Sequence, residues 1–405
     1  MTRVWIFNHY AEPPDRQATR SFDLGRELVR HGHAVTIFSS SFSHYHFREE
    51  RLGAGTAWLS ERLDGVEFIW LKTFPYDRND WRRVVNMVSY LARALWVGLH
   101  RRDRPDVVIG VTVHPFAALA GYLVARRKGA RFFFEVTDLW PRTLVEFGIL
   151  PARHPAVRAL GWLERLLFHK AEHVISLLPH MNEYLHPLGI DAGKVVWIPN
   201  GVDLRRYDSL HGYDGVAGDL FTVMYVGGLV QANALDVVLD AARILQDRGE
   251  NHVRFVFVGG GQEHTRLLDR VYSMALRNVE FLGVVSKDEL PRTMLSADAF
   301  VFSLRRLSLY RYGISLNKMC DYLAAGRPVL FAGSSSYDPI TTAGAGFTVP
   351  PENPEALANA ITALRALPAG DRARMGANGV AYVRLGKVDD FTSCAPSTSK
   401  APMSP

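Results

Sequence analysis

Two doubly wound, Rossmann-like α/β domains facing a central cleft are what this sequence predicts, and three features predict them. Apolar strands alternate with helical stretches in the first half, the same order restarts near residue 221, and 405 residues are too many for one ordinary core. VWIFNHY (4–10) reads as a buried strand, SFDLGRELVRHGH (21–33) as an amphipathic helix, and AVTIFSS (34–40) as the next strand. The order recurs at DVVIGV (106–111), FAALAGYLVARRKGA (116–130) and RFFFEVT (131–137). Between them, DWRRVVNMVSYLARALWVGLHRRDRP (80–105) is one long helical pattern with tryptophans and basic ends. It fits either a core helix with snorkelling arginines or an interfacial helix at a membrane.

Strand and helix alternate again through FTVMYVGG (221–228), ALDVVLDAARILQDRG, VRFVFVGGG (253–261), VEFLG (279–283) and AFVFSL (299–304). VVWIPNGVDLRRYD ends a strand in a Pro-Asn-Gly turn and enters a polar linker near 201–219. The expected domains are therefore 1–205 and 206–384, with strand carboxyl ends lining the cleft. From about 385 the chain is rich in Ser, Thr and Pro and has no periodic apolar face, so 385–405 reads as a disordered tail open to proteases.

Hydrophobic content of 48% and charged content of 22% suit a soluble globular protein. Cys320 and Cys394 make neither a disulfide framework nor a metal-ligand spacing, and with no Asp-x-Asp pair and no His-Glu-x-x-His a metal is not expected. Of the net charge of +6, residues 1–203 carry +5, which suggests an acidic or anionic-membrane partner for the first half. MTRVWIFNHY gives way to polar sequence, and no apolar run is long enough to span a bilayer. A cytoplasmic protein, peripheral on the inner face of the cell membrane and without a nucleic-acid partner, is expected.

The chemistry concentrates in a few stretches. In YGISLNKMCDYLAAGRPVL (312–330), Lys318 and Asp321 share one face of a short helix, and Gly313, Ser315 and Asn317 leave its N-terminus open to an anion. That grouping suits a phosphate joined to a sugar, and a plain surface ion pair three residues apart fits it as well. Gly227 and Gly228 in YVGGL, like the glycines of VGGGQE (258–263), allow close backbone approach to a phosphate or base, or simply a tight turn. Neither run has dinucleotide-site spacing, which argues against a dehydrogenase.

Thr19 can cap a helix beginning at Arg20, whose guanidinium opposes the dipole there and so points at an anion, an acidic partner or solvent. Thr137, Asp138 and Arg142 follow a strand's carboxyl end, where cleft residues sit, although Asp138 also suits a helix cap. His9 and His114 end or follow strands, and a lone histidine there reads first as packed and hydrogen-bonded.

Together these stretches resemble glycosyltransferase family 4, retaining transferases of the GT-B fold, from residue 3 to about 383. The resemblance rests on TRSFDLGRELVRHGHAVTIF, EVTDLWPRTLVEFG, KVVWIPNGVDLRRY, FVFVGGGQE, VEFLGVV and YGISLNKMCDYLAAGRPVL. The most similar branch adds an N-acetylated sugar to a lipid-linked acceptor in bacterial surface polysaccharides such as capsule and lipopolysaccharide. It implies a UDP-sugar donor, no cofactor and no metal. Asp321 stands at the second of the family's two hallmark glutamates, which binds the nucleotide ribose, and Gly313 at the first. The family's diphosphate-binding Arg and Lys fall at Gly228 and Asn233, so Lys318 is the implied replacement, with Arg305 or Arg306 behind it.

By the same resemblance, Asp138 contacts the donor sugar or acceptor, Thr137 takes the place of a histidine, and Gly283 to Val285 border the nucleobase. The implied mechanism is front-face displacement, in which the leaving diphosphate takes the acceptor proton. The resemblance also implies a closing helix that crosses back to the first domain, and because AYVR gives way to the Ser/Pro-rich tail that crossover is expected to be either short or lost. Two rival readings are a catalytically degenerate GT-B protein that binds nucleotide sugar or a partner transferase, and a sugar-nucleotide epimerase.

Overall fold

The computed structural model describes residues 1–13, 20–44, 46–78, 80–112, 114–207, 219–286 and 289–385, the last without its side chain. Thr19, most of the linker and the tail from 386 lie outside the described residues. The chain divides into two units. The first holds Met1–Asn200 with Leu307–Ser315 and Ser335–Tyr337, and the second holds Gly201–Arg306, Leu316–Ser334 and Asp338–Pro405. Two short stretches that sequence order assigns to 206–384 therefore group with the first unit.

The first unit is built on an eight-stranded sheet in the spatial order Val195–Trp197, His173–Ser176, Arg131–Val136, Val107–Thr112, Arg3–Phe7, Ala34–Ser40, Val66–Leu71, Trp58–Leu63. All pairs are parallel except the last, where Trp58–Leu63 runs antiparallel to Val66–Leu71. Asp64 (φ 47°) and Gly65 (φ 84°) make the two-residue turn between them, a hairpin chemistry that demands positive φ at both central residues. Val4–Phe7 and Val35–Ser40 are buried throughout, as strands covered on both faces must be. One core lies among the helices Trp81–His100, Pro115–Lys128 and Pro155–Lys170, and the other under the helix Arg20–Arg30.

The second unit has six parallel strands in the order Val279–Gly283, Val253–Val258, Phe221–Val226, Ala299–Ser303, Val329–Ala332, Gly346–Val349. This is the doubly wound order whose connections reverse at the first strand, so its ligand crevice lies beyond the carboxyl ends of Phe221–Val226 and Ala299–Ser303. The last described helix, Ala369–Leu385, packs on the helix Asn317–Ala324. A Cβ at Gly376 would stand 2.0 Å from the Gly326 carbonyl oxygen, so the contact needs a bare backbone.

Candidate functional site

In the second unit, the first strand ends at Val226 and turns through Gly227 at φ 149°. A side chain there would crowd Lys318, whose Cε would lie 3.3 Å from the added Cβ. Lys318 projects from the helix Asn317–Ala324, and its Nζ donates to Tyr225 Oη (3.0 Å) and Asn233 Oδ1 (2.8 Å). It also sits 4.8 Å from the Tyr225 ring centroid, a cation–π distance. Tyr225 Oη donates to Gly228 O (2.7 Å), and Asn233 Nδ2 donates to both Tyr225 Oη and Gly228 O.

Every partner of Lys318 is neutral. Desolvation brings the lysine down to about 7, because no carboxylate offsets the loss of water around its charge. Burial pushes the Tyr225 phenol upward in turn. Among the described residues the site is thus a preorganised cation without a counter-ion, beside a strand-end turn stripped of side chains.

The ion pair between Lys318 and Asp321 does not form. Asp321 instead accepts from Tyr207 Oη at 2.8 Å, and Tyr207 is buried just beyond the Leu204–Arg206 turn. Burial, then the Asp321 charge, holds that phenol protonated.

Glycines of the neighbouring turns serve packing. A Cβ at Gly259 (φ 135°) would lie 2.0 Å from Gly227 O, and one at Gly261 2.3 Å from Leu229 O. The two turns are laced by Gly227 N to Val258 O and Leu229 N to Gly260 O. Gly259 N donates to Gly283 O, so a third strand end joins them, with Val284 exposed and Val285 half-buried beyond it. Arg305 lines a cavity of about 460 Å³ with Gln231, Asp236, Glu263, Arg266 and Glu352. Arg306 is exposed and its N–H donates to Glu352. Asn317 is exposed on the first turn of the Lys318 helix, whose cap residue Leu316 makes no side-chain cap bond.

In the first unit, strand order reverses between Arg3–Phe7 and Val107–Thr112, and the residues just past these strands are His9 and His114. The two histidines that the sequence presents singly are a pair: His9 Nδ1 and His114 Nε2 are 2.6 Å apart, and both rings are buried. His9 stacks between Tyr90 and Tyr10, and Tyr10 stacks on His44. Burial, then His114, His44 and Arg83, holds His9 well below the usual imidazole range. His114 is lowered to about 3 and His44 to about 4, by burial first and Arg83 second. Neutral imidazoles around one arginine make a polar floor at this crevice. Sequence spacing gives no sign of the partnership, because 105 residues separate the two rings.

Asp138 keeps an exposed surface, yet its surroundings are poor in water and raise its carboxyl to about 6, with Arg83 pulling the other way. Thr137 is tied to the adjacent strand, its hydroxyl donating to Thr112 O and its N–H to Thr112 Oγ1. Arg142 donates to Tyr312 Oη and Ser308 Oγ, both at 3.1 Å, and so fastens the stretch 307–315. Asn200 of the IPNGVD motif donates its N–H to Ser315 Oγ (2.8 Å) and its Nδ2 to Ser315 O (2.7 Å). The two most specific sequence motifs are thereby hydrogen-bonded to each other.

Arg20 and Gly313 are both engaged within the fold. Arg20 finds its acidic partner inside the fold: Nε donates to the buried Glu135 (2.6 Å), and the terminal nitrogens donate to Ile198 O (2.9 Å), Pro199 O (2.8 Å) and Asn200 Oδ1 (3.4 Å). Through those donors it holds the IPNG turn. Gly313 has φ 103°, and a Cβ there would lie 2.5 Å from Pro179 Cδ, so the site has no room for a glutamate.

Residues 17–201 match the family model for a glycosyl transferase 4-like domain, and 221–366 match that for glycosyl transferases group 1. The Escherichia coli (strain K12) protein WcaI, assigned by name to colanic acid biosynthesis as a glycosyl transferase, is 23% identical over 360 residues, 84% of this chain and 86% of that one. Sucrose-phosphate synthase from Thermosynechococcus elongatus aligns with a TM-score of 0.75 at 18% identity, covering 95% of this chain and 94% of its own. Anabaena HepE, solved in complex with UDP and glucose, aligns with a TM-score of 0.64 at 15% identity over 95% of each chain.

Proposed function

Because the chain belongs to glycosyltransferase family 4 and has the GT-B fold of two Rossmann-like domains, we propose that it transfers a sugar from a UDP-sugar to a lipid-linked saccharide. The sugar is N-acetylated, the anomeric configuration is retained, and the product is a bacterial surface polysaccharide. HepE, a neighbour in fold, was solved with UDP and glucose, and WcaI is named for a polysaccharide pathway. The observation that carries the reading is Lys318, an ammonium with only neutral partners, bonded to Asn233 where the family's own lysine would stand.

In this reading the Lys318 ammonium binds the donor diphosphate and stabilises the charge that develops on it during transfer. Asp321 accepts from the ribose hydroxyls, with Tyr207 orienting its carboxylate. Asp138 contacts the donor sugar or acceptor, and the leaving diphosphate takes the acceptor proton, so no metal and no strong protein base are required. The enzyme works in the cytoplasm, on the inner face of the cell membrane where a lipid-linked acceptor is found.

One observation favours the second reading, a degenerate protein that binds nucleotide sugar without turnover: Pro179 closes the position of the first hallmark glutamate. Release of UDP from a UDP-N-acetylhexosamine, with and without a lipid-linked saccharide, separates the two. Acceptor-dependent release is expected, and Lys318→Ala should weaken donor binding by about 1.5–3 kcal/mol, roughly ten- to a hundred-fold. Tight donor binding with no release under any acceptor supports the degenerate reading instead.

A further inference from the structure

The helix Trp81–His100 buries Met87, Tyr90, Ala94 and Val97 against its sheet, and such a helix ordinarily turns polar residues to water. Here the opposite face is apolar too. From Trp81 to Leu99 every exposed position is Trp81, Val84, Val88, Ala92, Trp96 or Leu99, spaced three or four residues apart in one stripe. Trp81 is 64% exposed and Trp96 51%. At 1.5 Å per residue the stripe runs for about 27 Å, larger than a stray surface contact requires.

The helices beside it share a charge. Pro115–Lys128 packs on Trp81–His100 and on Pro155–Lys170, and each of the three carries three Lys or Arg. The one acid on any of them is Glu164, which is buried and accepts from Tyr184 Oη. Asp77 and Asp80, at the entry of the first helix, are engaged by Arg82 and by the helix cap. On Pro155–Lys170 an exposed Trp162 stands between exposed Arg158 and Arg165.

We propose that this three-helix layer of the first unit is a docking surface for an anionic lipid bilayer, with the stripe from Trp81 to Leu99 seated among the headgroups and acyl chains. Apolar side chains with tryptophans along one face and arginines at the margins are what an interfacial helix needs, and the surrounding cations add attraction to acidic lipid. A second copy of the chain fits worse. Isologous pairing would set one basic layer, whose single acid is buried, against its equal. No helix among the described residues is long and apolar enough to cross a membrane, so the attachment is peripheral. The inference rests on the proposed lipid-linked acceptor for its purpose, but its test uses neither nucleotide nor acceptor, so each can fail alone.

The test is flotation of the full chain with vesicles of phosphatidylcholine alone or mixed with phosphatidylglycerol. Binding to the mixed vesicles, little binding to the neutral ones and a blue shift of tryptophan fluorescence are expected. The double variant Trp81→Ser with Trp96→Ser should bind about tenfold or more weakly while its circular-dichroism melting curve is unchanged, since both side chains face water. Arg126→Glu with Arg127→Glu should lose only the preference for phosphatidylglycerol. Equal lack of flotation with both vesicles, or unaltered binding by the tryptophan variant, overturns the proposal. So does a dimer in sedimentation that the tryptophan variant dissolves, because the face would then be a protein interface.

Discussion

Arg20→Ala should cost about 3–5 kcal/mol of folding stability, which urea titration of the purified protein will read as a lower midpoint. The reason is what stays behind. Glu135 is only 3% exposed and Arg20 supplies its ion pair, so truncation leaves a carboxylate buried without a counter-charge. The carbonyls of Ile198 and Pro199 lose their donor in the same step. Arg20→Ala with Glu135→Gln should recover part of the loss, because an unpaired amide is cheaper to bury than an unpaired charge. If Arg20→Ala unfolds at the wild-type urea concentration and only loses substrate affinity, Arg20 is a ligand-binding residue and the structural assignment fails.

Gly313→Glu, which would restore the family's first glutamate, should lower stability by on the order of 4 kcal/mol and restore nothing. A side chain at φ 103° is strained by about 1–3 kcal/mol, and the new Cβ drives into the Pro179 ring at a similar cost. A ring carbon cannot swing aside as a flexible side chain would. A stable Gly313→Glu protein with raised turnover would show that the segment relaxes and that the missing carboxylate limits catalysis.

Strand positions were the most legible part of the fold. Ala34–Ser40 and Ala299–Ser303 fall where apolar runs put them, because a strand buried on both faces leaves an uninterrupted signal. The antiparallel edge strand Trp58–Leu63 leaves a weak signal, since its exposed positions mix Trp, Leu, Ser and Arg, although Asp64-Gly65 is the available clue. The helix Ala369–Leu385 carries little sequence signal. Gly376 and Gly379 form part of its packing face, and a face made by absent side chains has no hydrophobic period.

The candidate site was legible residue by residue and illegible in its pairings. Lys318 and Asp321 stand out in the sequence, and their short separation allows either separate roles toward a phosphate and a sugar or one shared ion pair; in the structure each turns to a tyrosine on a different part of the second unit. Gly227 and Asn233 do meet Lys318. Arg305 lines a cavity with Gln231 and Ala234, on either side of Asn233, and no local pattern signals that. The His9 and His114 pair depends on strand order, which places two loops distant in sequence side by side.

The most direct test of the account is titration calorimetry of UDP-N-acetylglucosamine at about pH 6 and about pH 8, with wild type and Lys318→Met. UDP itself is the poorer probe, because its terminal phosphate titrates near pH 6, whereas both phosphates of the sugar nucleotide are esterified. A lysine lowered to about 7 is charged at the lower pH and mostly neutral at the higher, so affinity should fall about tenfold as pH rises, with proton uptake on binding at the higher pH. Lys318→Met should bind weakly and equally at both. Wild-type affinity that ignores pH, or a Lys318→Met protein that binds as tightly as wild type, would contradict the claim that this ammonium holds the donor diphosphate.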